Sequence, residues 1–147
     1  MKIRILLCSL TLALAVVPGL RAQDKDQDTP LELKMQKMNT AFRKLRTQVS
    51  DSTKNEDSLA QVAILKENAT AALQLTPKKA ADIPAADQAK FVADYQAELK
   101  KLLGTIDQLD AALKAGNNEE AAKLYASLGA IQKEGHSEFK KAPAKKQ

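Results

Sequence analysis

The sequence predicts an all-α protein, an antiparallel up-down-up-down four-helix bundle. Four stretches space their apolar residues at alternating steps of three and four, the period of one helix face. Three short polar, glycine or proline breaks separate them, and short connections make neighbouring helices antiparallel. No stretch alternates with the period of a strand, and there are only 5 glycines in 147 residues.

The first segment stands apart from the fold. Met1-Lys2-Ile3-Arg4 is a basic start, and Ile5 to Val17 is a mostly apolar run. That run is shorter than the roughly 20 residues a membrane-spanning helix needs. Pro18-Gly19 breaks it, and Leu20-Arg21-Ala22 ends on a small residue before polar Gln23-Asp24. Residues 1–22 therefore read as a secretory signal peptide cleaved after Ala22, which predicts a periplasmic protein with no membrane attachment after cleavage. Residues 23–28 read as a disordered N-terminus, 29–141 as the bundle, and 142–147 as a basic tail.

Cleavage changes the chemistry available. Cys8 leaves with the signal, which excludes disulfides, thiolate metal sites and thioether-linked cofactors from the mature chain. Removing Lys2, Arg4 and Arg21 leaves 20 basic residues against 18 acidic ones, a net charge of only +2. The two signs are expected to mix along every helix, which argues against nucleic acid as a partner. The outer faces are expected to be polar, and the protein a monomer.

The first helix opens at Thr29-Pro30-Leu31-Glu32, where Thr29 caps, Pro30 takes the first helical position and Glu32 reaches back. Its seam is Leu31, Met35, Met38, Phe42, Leu45 and Val49, and residues 50–55 form a loop. The second helix is expected from Glu56 to Leu75, with Leu59, Val62, Leu65, Ala69, Ala72 and Leu73 inward. Thr76-Pro77 closes it, because the residue before proline resists helical geometry. Asn68-Ala69-Thr70 matches a glycosylation triplet, but at mid-helix it reads as chance.

The third helix runs from about Ala85 to Ala115, with Val92, Tyr95, Leu99, Leu102, Ile106, Leu109 and Leu113 in step. Gly116-Asn117-Asn118 ends it. In the fourth, Asn caps and Glu119-Glu120 favours the positive helix end. Ala121, Tyr125, Leu128, Ile131, Gly135 and Phe139 form its inner side, and it ends before Pro143.

An enzyme is not expected. The chain has one histidine, no mature cysteine and no phosphate-cradling glycine loop, and a single histidine cannot build a di-iron bundle site. What remains is a thioether near the start and an imidazole near the end. At about 100° per residue, His136 projects about 20° from Tyr125 and about 60° from Phe139, so it borders the buried stripe. An antiparallel bundle brings the start of the first helix and the end of the fourth to the same end. Met35 and His136 can then face each other, and thioether plus imidazole is one pair that holds haem iron. Two ordinary roles stand beside this: a seam methionine fills core gaps, and a histidine at a helix C-terminus complements the dipole.

Leu31-Glu32-Leu33-Lys34-Met35, the Thr76-Pro77 break, Leu103-Gly104-Thr105-Ile106-Asp107 and Gly135-His136-Ser137-Glu138-Phe139-Lys140 together resemble the soluble cytochrome b-562 family. The resemblance covers nearly all of the mature chain. It implies non-covalent haem b with axial ligands at Met35 and His136, and one-electron transfer to a redox partner protein that the sequence does not identify. Met38, Tyr95, Leu99 and Phe139 would line the pocket, and Lys140 would lie near the propionates.

The chain departs from the family at several of these positions. Family arginines four residues either side of the histidine are replaced by Gln132 and Lys140, and lysine lacks the arginine fork. Gly135 stands where an aromatic is common, and Met38 on the same seam is a rival ligand. The alternative is a haem-free structural or interaction bundle that kept the fold and lost the cofactor.

Overall fold

The computed structural model describes residues 28–142. The expected signal peptide, most of the N-terminal segment and most of the basic tail lie outside them. Among the described residues there are four α-helices and no strand: α1 (Pro30–Leu45), α2 (Asn55–Ala72), α3 (Ala85–Lys114) and α4 (Asn118–Phe139).

Local chemistry sets each end. Thr29 caps α1 through a complete capping box: its side chain accepts from the Glu32 amide at 3.3 Å, and the Glu32 carboxylate accepts from the Thr29 amide at 2.7 Å. Helix α1 stops at Leu45, four residues short of the Val49 seam position. The amides of Thr47 and Gln48 turn to carbonyls three residues back, yet Val49 stays 3 % exposed. A 3-10 turn at Ser52–Lys54 then occupies the expected loop.

Helix α2 ends at Ala72, three residues earlier than expected. Leu73, Gln74 and Leu75 each donate to a carbonyl three residues back, so the chain tightens as it approaches the extended Pro77 backbone. The connection to α3 holds a second 3-10 turn at Lys78–Asp82. Gly116, at φ 70°, makes the left-handed stop after α3, and the Asn117 side chain accepts from the Glu120 amide at 3.1 Å to cap α4.

Two apolar clusters stack along the bundle. The larger contains Leu45, Val62, Ile106, Leu109, Leu113 and Leu128, and the smaller holds Leu31, Ala72, Tyr95, Leu99 and Phe139 at the other end. Met35 and Leu102 touch both. The large-cluster end is tied by an amide pair. Asn118 Nδ2 donates to Asn55 Oδ1 at 2.7 Å and to the Val49 carbonyl at 2.8 Å, joining two connections.

Three expectations are corrected. Charges do not mix along every helix, because α1 carries Lys34, Lys37, Arg43 and Lys44 against the single acid Glu32. The outer faces are not uniformly polar, since Leu33 and Ile64 are exposed. The inward side of α2 also includes Ser58 and Asn68, both buried. Asn68 Nδ2 donates to the Ile64 carbonyl at 2.8 Å, so that side chain belongs to its own helix.

Candidate functional site

Helix α1 packs extensively on α2, α2 on α3 and α3 on α4, but α1 and α4 make no comparable contact. The fourth seam of the bundle is therefore open. It forms a cleft of about 450 Å³, within the roughly 300–1,000 Å³ typical of small-molecule sites. Where α1 and α4 do meet, Phe42 stacks on Tyr125, with ring centroids 4.4 Å apart and planes 16° apart. Phe42 closes the inner end of the cleft.

The glycines of α4 register this shape. At Gly129 a Cβ would stand in ordinary contact, 3.5 Å, with Phe42 of α1. At Gly135 a Cβ would find only Glu98 of α3, at 3.8 Å, and Gly135 lines the cleft.

All seven residues singled out from the sequence line this one cleft: Met35, Met38, Tyr95, Leu99, His136, Phe139 and Lys140. Met38, Tyr95, Leu99 and Phe139 are buried, and Met35 is half-buried. Tyr95 donates its hydroxyl to the Ala72 carbonyl at 3.1 Å, and burial pushes its pKa up, so it is a neutral structural wall. Phe139 meets the edges of Tyr95 and Phe91 at 5.6 and 5.3 Å, which fixes the outer wall.

His136 is more open than its place beside the stripe implied. Because α1 is held away, the residue is exposed and lines the cleft. Partial burial, with the charge of Lys140 second, still holds its pKa below the usual histidine value. The neutral imidazole, the form that binds a metal, is favoured.

The mouth of the cleft is braced by the α2–α3 connection. Lys78 pairs with Glu32 at 2.7 Å and Lys141 with Asp82 at 2.7 Å, while Lys79 donates to the Glu138 carbonyl. Lys78 and Thr29 together hold the Glu32 carboxyl down at about 2. Lys140 takes part in no ion pair among the described residues. Sequence reasoning missed Lys78, Glu98 and Phe42 as lining residues. Only Phe42 carried a signal, its place on the α1 seam.

The donor set is too sparse to hold a bare ion, and one thioether and one imidazole can serve only as two ligands to a metal held by a further group. Among the described residues no group of three or more His, Cys, Asp or Glu could hold a metal by itself. The cleft offers one thioether wall, one imidazole wall, apolar sides and a free cation at its mouth. No match was found among curated proteins or among solved structures. The family profile described as cytochrome b562 matches residues 30–140. With three quarters of its length matched, this chain belongs to the cytochrome b562 family of haem-binding electron carriers.

Proposed function

We propose that the cleft binds one non-covalent haem b with Met35 and His136 as axial ligands, and that the protein shuttles single electrons in the periplasm. The observation that carries this reading is that Met35 on α1 and His136 on α4, 101 residues apart in sequence, line one open seam. Bound haem supplies a one-electron iron couple. The chain's own part is to hold a soft sulfur and a neutral imidazole as ligands, a pairing that raises the potential. Met38, Leu99 and Phe139 exclude water, and Lys140 offsets a propionate charge. Gln132, also in the cleft, supplies hydrogen bonding without charge.

The test is a hemin titration of the purified mature protein. A low-spin spectrum at one-to-one stoichiometry is expected, and Met35→Ala and His136→Ala should each abolish it. An unchanged spectrum in the His136 variant rejects the site. A low-spin spectrum that survives Met35→Ala but not the double change with Met38→Ala reassigns the sulfur ligand to Met38.

A second reading, a bundle that has lost its cofactor, is favoured by Gln132, Gly135 and the low aromatic content of 3 %. It predicts no Soret band and a melting temperature indifferent to hemin.

A further inference from the structure

The outer face of α1, on the side turned away from the cleft, combines two features found together nowhere else among the described residues. Leu33 and Ile64 are the exposed large hydrophobic side chains, 49 % and 36 % accessible, and both line one shallow groove between α1 and α2. Lys34, Lys37 and Lys44 rim the same groove. Among the described residues none of the three is engaged in an ion pair, whereas Lys66, Lys90, Lys114 and Lys123 on the other helices are paired at 2.6–2.9 Å. The cause lies in the sequence, since α1 carries four bases and one acid, and that acid, Glu32, is held by Lys78 at the cleft mouth.

We infer that this groove is a docking surface for an acidic protein segment that presents one apolar side chain between carboxylates. Charge complementarity identifies the sign of the partner, and the paired apolar side chains give it an anchor. A membrane surface fits less well. Interfacial helices need a broad apolar face, whereas here only two exposed apolar side chains, Leu33 and Ile64, sit in a concavity between two helices. Met35 and the groove occupy opposite faces of one helix, so a docked partner lies about one helix diameter, roughly 10 Å, from the cleft. The surface itself rests on charge and shape alone, independent of any haem.

The experiment is a titration of the ¹⁵N-labelled mature protein, haem-free and hemin-loaded, with a synthetic acidic peptide carrying a leucine flanked by glutamates. Shifts should concentrate on amides around Leu33, Lys34, Lys37 and Ile64 in both forms. Affinity should fall about tenfold as salt rises through the range where the Debye length drops below 10 Å. K37E/K44E should abolish binding, and L33S, with charge unchanged, should weaken it several-fold while leaving the melting temperature and hemin titration intact. Shifts spread evenly over Lys100 and Lys133 as well, or full affinity in L33S, would overturn the inference. So would binding to phosphatidylglycerol vesicles in place of the peptide, or self-association removed by K37E/K44E.

Discussion

Gly135 is the sharpest lever on the cleft, because its two possible roles predict opposite signs in two measurements. Its backbone is ordinary helix, with no positive φ to require glycine, and an added Cβ meets nothing nearer than Glu98 at 3.8 Å. Gly135→Ala should therefore remove only the entropic penalty of glycine inside a helix, a gain of about 0.5–1 kcal/mol. For a domain of this size that raises the melting temperature by about 2–6 °C. The melt must be run on haem-free protein, since ligand would add its own linkage. The same methyl, however, projects into the wall of the cleft. If the macrocycle lies against that wall, overpacking should lower hemin affinity by about 5- to 150-fold, at roughly 1–3 kcal/mol for one inserted methyl. The expected result is thus a more stable apoprotein that binds hemin more weakly. A lower apoprotein melting temperature would refute the helical-entropy account. Undiminished hemin affinity would show that nothing flat passes over position 135.

Three further outcomes follow from other contacts. Glu32 has a carboxyl lowered from 4.5 to about 2, so it contributes stability above pH 4.5 that is lost as pH falls toward 2. Glu32→Gln should flatten that acid limb in pH-dependent melts, by a modest and salt-sensitive amount because the pair is largely solvated. His136 has a pKa below its usual value, so the unfolded chain takes up its proton first and folded stability declines as pH drops below 6.5. Proton NMR of this single imidazole in the apoprotein should show the lowered midpoint, and Lys140→Gln should move it upward. Asn118→Ala removes bonds to Asn55 and the Val49 carbonyl and should cost about 1–3 kcal/mol in chemical denaturation, leaving hemin affinity unchanged at the opposite end.

The reach of sequence reasoning here follows the range of the interactions involved. Thr29, Pro30 and Glu32 decide the start of α1 within four residues, and the box they form is the one their spacing dictates. The stripes Leu99, Ile106, Leu109 and Leu113 on α3, or Ala121, Leu128 and Phe139 on α4, follow from helical period alone, and all are buried. Helix ends governed by competing turns were less legible. The retreat of α2 to Ala72 depends on how its last amides share carbonyls, which residue type does not encode.

The cleft was legible only in its components. Met35, Met38, Tyr95, Leu99 and Phe139 could each be placed on a helix face, but the openness of the α1–α4 seam is a property of two helices jointly. At Gly129 Phe42 of α1 stands within contact of a Cβ position, whereas at Gly135 only Glu98 of α3 does, so the two helices are close at one level and apart at the other. The exposure of His136 has the same origin, since counting degrees around α4 places the ring beside the stripe but says nothing about how far α1 stands away. The free lysines of α1 were overlooked because the charges summed over residues 23–147, 20 basic against 18 acidic, nearly cancel. Summation hides a separation that only a helix-by-helix reading exposes, and that separation leaves one face of the bundle charged and unpaired.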